Sequence, residues 1–400
     1  MGCADMKEAR ILILLLIGFG PVCLGDTFVH RQTGQVLHGY ASSYSADANM
    51  VVQTQEKGAV KLKAAQWDVT PDRSGRNNKV VILTIDGNIM LKIQTEALIK
   101  ALAQAIAEGP LFTLLDIDTP GGRVDYTRQI CAAISQAGPC RVIAFVRGGP
   151  HGGAISAGAA IAFACDKIYM GQGAAIGAAS TVGLTGTGVK DFKEIYGEEL
   201  AEKINSAWRT YLAALAEQKH RPPLLACAMV DENIEVVEVH EADRSLFIDP
   251  VNKKPEQDVV HTWSTKGSLL TLTAEETLRC GIAEKVVKSR AEVLRDLDAA
   301  GAEIVIDNAF TEARQQYERA SSRFNKLSKS LDLKIKQLKQ ATNEVRAARL
   351  LRDIRDGYKS LLSLARLYPD LHIDTRFLEQ QLNSAEALYQ ETRMRRQAPR

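Results

Sequence analysis

Phe112-Thr113-Leu114-Leu115-Asp116-Ile117-Asp118-Thr119-Pro120-Gly121-Gly122 joins a short apolar run to a glycine turn. Near-continuous hydrophobicity over so few residues is the pattern of a strand buried on both faces of a parallel sheet. Val80-Val81-Ile82-Leu83-Thr84-Ile85 and Val142-Ile143-Ala144-Phe145-Val146 repeat the pattern, and helical periodicity fills 93–107 and 127–137 between them. Strand, helix, strand, helix, strand implies parallel pairing through right-handed crossovers. The glycine turn then falls just past the carboxyl end of a strand, where open α/β sheets place their chemistry.

A second turn follows the third apolar run. In Gly153-Ala154-Ile155-Ser156-Ala157-Gly158 a serine stands among residues too small to hide it, with a helix expected from there to Cys165. A hydroxyl on a tight turn, with main-chain amides aimed at a developing negative oxygen, is what acyl transfer requires. Glycine and alanine let those amides approach a substrate carbonyl. Taken singly, a small-Ser-small triplet is more often a close-packed helix start and Pro-Gly-Gly only a turn. The pair, each after a strand, points to Ser156 as a nucleophile.

A serine needs a base. His151 lies on the approach to the turn and would have to fold back to reach Oγ, while His220 sits beside Arg221-Pro222-Pro223 at a helix end. A lysine can serve if desolvation brings its pKa toward neutrality. Lys203 lies early in a helix expected over 198–219, with Ala207, Thr210 and Ala214 on its face, whereas Lys190, Lys193 and Lys219 have ordinary solvated contexts. By pattern alone Lys203 is more simply a surface lysine with its stem along the protein.

Asp118–Gly122, Gly153–Gly158, Ile176-Gly177-Ala178-Ala179, Lys203-Ile204-Asn205 and the segment 266–274 together resemble the NfeD-type membrane-associated serine proteases, relatives of signal peptide peptidase A in the Clp-protease and crotonase superfamily. The resemblance spans about 79–294. It implies a Clp/crotonase-type α/β core and an ATP-independent endopeptidase acting on apolar peptide segments. In its terms Ser156 is the nucleophile, Lys203 the base, and the amides about Gly121, Gly122 and Ala157 the oxyanion hole; no cofactor and no metal are implied. Two features depart from the family pattern: the glycine-rich approach Gly148-Gly149-Pro150-His151-Gly152-Gly153, and the lack of the membrane spans and small β-barrel that commonly follow. A crotonase-like acyl-CoA enzyme and a non-catalytic scaffold presenting the tail are the alternatives.

The remainder of the 400 residues frames this domain. Lys7 and Arg10 followed by the aliphatic run Ile11–Ile17 and small residues near Gly25 predict a signal peptide over 1–25, either cleaved, lipidated at Cys23 or retained as an anchor, hence a secreted or periplasmic protein. Residues 26–76 are polar and show no site. The protease domain is expected over 77–295, with a β-hairpin excursion near 234–272 turning at Asp243-Arg244-Ser245. A helical tail over 311–397 shows apolar residues at Tyr317, Phe324, Leu331, Leu338 and Val345, a seven-residue interval that fits a coiled coil or helical hairpin. A net charge of +2 gives no case for nucleic acid. The expected partners are a peptide or protein substrate with apolar segments, a membrane surface, and further copies of the chain in a dimer or larger assembly. Cysteines 131, 140, 165, 227 and 280 show no metal-ligand spacing.

Overall fold

A computed structural model describes residues 26–397 except 45–48, 55–56, 71–77, 139, 186–187 and 242–243. The expected signal peptide lies outside the described residues.

The polar leader is a β domain of its own. Strands β1 (Asp26–His30), β2 (Val36–Tyr44), β3 (Asn49–Thr54), β4 (Gly58–Lys63) and β5 (Trp67–Thr70) form an antiparallel sheet in the order β4-β3-β2-β1-β5. Alternation puts Phe28, Leu37, Met50, Val52, Leu62 and Trp67 into a separate apolar cluster.

The central domain opens with β6 (Lys79–Asp86), α1 (Lys92–Ala107), β7 (Phe112–Asp118), α2 (Val124–Ser135), β8 (Val142–Val146), β9 (Gly153–Ile155), α3 (Ala157–Ala164) and β10 (Lys167–Gly171). Then come β11 (Ala175–Gly177), the pair β12 (Val182–Thr185) and β13 (Gly188–Asp191), and helices α4 (Phe192–Tyr196), α5 (Glu198–Gln218) and α6 (Pro223–Ala228). Strands β14 (Val236–Glu241), β15 (Arg244–Ile248) and β16 (Val259–Ser264) precede β17 (Thr271–Thr273), α7 (Ala274–Arg279), β18 (Lys285–Val287), α8 (Arg290–Asp296) and β19 (Glu303–Asp307).

The main sheet is six-stranded, order β18-β10-β8-β7-β6-β19, and every pairing is parallel. Its central strands are buried on both faces: Val81, Leu83 and Ile85 of β6 meet the cluster built with α1, α2 and α3, while Val80 and Ile82 meet Val293 and Leu297 behind. This is the crossover α/β core anticipated from the apolar runs. A smaller sheet, β17-β11-β9, carries the second glycine turn. The excursion is a hairpin of β14 and β15 joined by a third strand, β16, so it is one strand larger than expected.

Two expected boundaries need correction. The core does not end near 295: β19 supplies an edge strand of the main sheet, and Phe310 is buried in its main cluster. The tail is three helices rather than two: α9 (Ala309–Lys339), α10 (Glu344–Leu367) and α11 (Thr375–Gln397). The heptad row breaks between 339 and 344, because the Asn343 side chain accepts from the amides of Val345 and Arg346 and starts a new helix. Val345, the last residue of that row, is exposed. Leu331, Ile354, Tyr358, Leu361, Leu378 and Ala385 form the tail's own core. Asp370 ties the tail back, accepting from the Lys92 and Ile93 amides at 2.8 and 3.0 Å and so capping α1. Among the described residues no helix is long and apolar enough to cross a membrane.

Candidate active site

Ser156 occupies the junction of β9 and α3 with φ 55° and ψ −112°. A non-glycine residue there stores about 1–3 kcal/mol of strain, which its surroundings must hold in place. They do so through main-chain bonds: the Ser156 amide donates to Gly177 O at 2.8 Å, and Ser156 O accepts from the Ala159 amide at 3.0 Å. Ser156 is half-buried, and its hydroxyl has no hydrogen-bond partner among the described residues.

The two glycine turns are stitched together. The Thr119 amide donates to Gly153 O at 2.8 Å and the Ile155 amide to Thr119 O at 3.0 Å, which lays the first turn along β9. The loop at Ile89 clamps the other side, its amide donating to Gly121 O and its carbonyl accepting from the Arg123 amide, both at 3.0 Å. A Cβ on Gly121 would lie 2.7 Å from Ser156 Cβ and 3.0 Å from its Oγ, so only glycine leaves the nucleophile room. Gly122 needs glycine because a Cβ there would strike the Ile89 backbone.

Among the described residues the amides of Gly122 and Ala157 donate to no acceptor, and that of Ala157 is a free donor at the start of α3. Gly121 differs: its amide donates to Thr119 Oγ1 at 3.1 Å. In this arrangement the Gly121 amide, expected in the oxyanion hole, is engaged by the Thr119 hydroxyl, and its bare Cα keeps space beside Ser156.

Lys203 is not brought to the serine in this arrangement. Helix α5 buries Ala201, Trp208, Leu212, Leu215 and Ala216, and Lys203 sits on the opposite side, its side chain 69% exposed and paired with Glu199 at 2.6 Å. The helix is nonetheless anchored to the site's flank. Trp208 Nε1 donates to Ala179 O at 2.9 Å, and the Thr181 hydroxyl donates to Asn205 Oδ1, two and four residues past Gly177, whose carbonyl holds the Ser156 amide.

Reading the sequence missed a buried polar brace. The Asp118 carboxylate, fully buried, accepts from the Gly153 amide through Oδ1 at 3.1 Å and from the His151 amide through Oδ2 at 3.3 Å. It thus sets the glycine-rich loop that leads to the serine. Arg147 reaches Asp116 and Asp86, each at 3.0 Å, and these two hydrogen bonds raise its pKa although burial opposes them. His151 Nε2 faces Asp86 at 3.5 Å and makes no bond to Ser156. Ligand atoms of Asp86, Asp118 and His151 lie within 4.8 Å of one another. Their charge is already met by Arg147 and by main-chain amides, a structural brace rather than an open cation site. Acidic residues at the ends of adjacent strands opposite an arginine were the available signal. Among the described residues the cysteines form no disulfide, and burial pushes Cys131 up to about 12.

The six-stranded parallel sheet with crossover helices and two linked glycine turns, one presenting a serine, defines an α/β domain whose candidate site lies past the carboxyl ends of its strands. Residues 79–249 match the model of the NfeD1b N-terminal domain family. Membrane protein NfeD1b of Bacillus subtilis (strain 168) is 28% identical over 191 residues, which are 48% of this chain and 35% of that protein. The chain thus spans about a third of the length of this curated relative. Among solved structures, a serine-to-alanine mutant of 1510-N membrane-bound stomatin-specific protease is 22% identical with a TM-score of 0.42, covering 58% of this chain and 98% of that one. A lysine-to-alanine mutant of 1510-N in complex with a substrate peptide gives 23% and 0.39, over 55% and 80% of the two chains. The 1510-N membrane protease specific for a stomatin homolog from Pyrococcus horikoshii gives 20% and 0.36, over 58% and 92%.

Proposed function

We propose that this chain is an ATP-independent serine endopeptidase acting on apolar segments of envelope or membrane-associated proteins. The observation that carries the reading is Ser156, held at φ 55° between a strand and a helix with Gly121 kept bare beside it. In this reading Ser156 Oγ attacks the peptide carbonyl and its proton passes to the base. The carbonyl oxygen, now negative, is held by the Gly122 and Ala157 amides. Collapse breaks the C–N bond, the base protonates the leaving amine, and water then releases the acyl group by the same route.

Lys203 is the base of this proposal. To act, it must leave Glu199 and turn its ammonium toward Ser156, which requires the first turns of α5 to rotate or shift. Gly197, at φ +80° immediately before α5, is a suitable pivot. Binding of a peptide, or pairing with a second copy, would supply the apolar cover that a lysine base needs.

The test is cleavage of apolar fluorogenic peptides by the full chain and by Ser156→Ala, Lys203→Ala and Lys203→Arg. All three should be inactive, the last because a guanidinium stays protonated. Turnover in Lys203→Arg with none in Ser156→Ala would remove Lys203 and keep the serine.

A further inference from the structure

Helices α10 and α11 run antiparallel, since Arg366 pairs with Glu379 at 2.7 Å while Arg355 reaches Glu386 at 3.5 Å. Within that stretch every interhelical arginine meets a glutamate. Beyond Arg355 the pattern changes. The α10 face continues through Arg352, Arg349, Ala348 and Val345, spaced so that they share one side of the helix, and α11 answers with Arg393 and Arg396. These residues and Tyr389 line a cavity of about 500 Å³. Arg352 has an ion pair only with its own neighbour Asp353, at 3.7 Å, and Arg349, Arg393 and Arg396 have none among the described residues. Glu391, the nearest acid along α11, is engaged by Arg395 at 2.6 Å.

Four guanidinium groups facing one gap repel each other unless an anion lies between them. Their planar donor forks match phosphate oxygens in pairs, and the cavity has the size of a small-ligand site. We propose that this cavity binds a phosphate-bearing ligand, with Arg349 and Arg352 on one side and Arg393 and Arg396 on the other. Tyr389 and Val345 provide apolar surface beside the charged group. The same chemistry is offered by a soluble phosphate compound and by an anionic phospholipid headgroup. The site lies in the tail and does not depend on the Ser156 proposal.

The experiment uses the full chain in two arms: calorimetric titration with pyrophosphate, and co-sedimentation with phosphatidylglycerol vesicles against phosphatidylcholine vesicles. Binding in the first arm assigns a soluble ligand; binding only to phosphatidylglycerol assigns the headgroup. Replacing Arg349 and Arg393 together by glutamine should weaken binding between about ten- and a hundredfold, each lost charge-assisted contact counting for roughly tenfold. The charge-matched pair Arg346→Gln with Arg395→Gln, on the same helices but outside the cavity, should change binding less than about twofold. Arg349→Lys keeps the charge but not the fork, and should still weaken binding if phosphate is gripped in pairs. No binding in either arm, or equal loss in the charge-matched control, would overturn the proposal.

Discussion

Replacing Asp118 by asparagine tests whether one buried carboxylate sets the serine loop. Its two oxygens accept from two different amides, Gly153 at 3.1 Å and His151 at 3.3 Å. An asparagine offers one oxygen and turns an NH₂ toward the other amide, so one N–H is left facing a donor. A buried donor without a partner costs about 1–3 kcal/mol, which for a domain of this size lowers the melting temperature by roughly 3–10 °C. The bonds between Thr119 and the Gly153–Ile155 strand remain, so the loop should loosen rather than collapse. A displacement of about 1 Å at the nucleophile costs on the order of a hundredfold in turnover, and kcat should fall ten- to a hundredfold with KM little changed. Differential scanning fluorimetry and peptide turnover of purified Asp118→Asn read both effects. A variant with native melting temperature and native kcat would refute the brace.

Gly121→Ala should lose about a hundredfold or more in kcat/KM and about 1–3 kcal/mol in stability, because its Cβ would press on Ser156 from a φ of +123°; a variant that keeps full turnover refutes the spacing argument. Truncation after Leu297 strips β19 from the edge of β6 and Phe310 from the core, so the fragment should lose cooperative thermal unfolding by circular dichroism; a soluble, cooperatively folding fragment would show the tail to be dispensable. Asp296 accepts from Lys285 Nζ and Tyr169 Oη, both at 2.7 Å, and these bonds hold its pKa below the usual range. A lowered folded pKa adds stability above the unfolded carboxylate's pKa, near 4, and loses it as pH falls through the folded value. The melting-temperature gap between the native chain and Asp296→Asn should therefore be present at pH 7 and shrink on acidification; a gap independent of pH would refute the pairing.

The parts of the fold legible in the sequence were those where burial is two-sided. Val80–Ile85, Phe112–Ile117 and Val142–Val146 announce themselves because both faces of a central parallel strand are apolar. The edge strand Glu303-Ile304-Val305-Ile306-Asp307 does not, because Ile304 and Ile306 are exposed and acids flank it. The leader's strands were obscured for a similar reason, their apolar residues alternating with polar ones over short runs. At the site, the glycine spacing carried the pairing of the two turns, since only small residues tolerate that approach. Which amides are free was not legible, because it depends on the Thr119 hydroxyl taking the Gly121 donor. Lys203 shows the limit most clearly. Helical spacing placed it with Ala207, Thr210 and Ala214, while the face that packs inward is that of Ala201, Trp208 and Leu212. The break at Asn343 was hidden because Val345 continues the heptad count by coincidence of spacing.

The central claim is that Ser156 Oγ is the nucleophile, and the kcat/KM of Ser156→Ala on an apolar fluorogenic peptide tests it most directly. The substitution removes one oxygen that bonds nothing among the described residues and leaves the Cβ at φ 55° in place, so the melting temperature should change little. Turnover should fall by about a thousandfold or more. A folded Ser156→Ala protein that cleaves the peptide at the native rate would contradict the account.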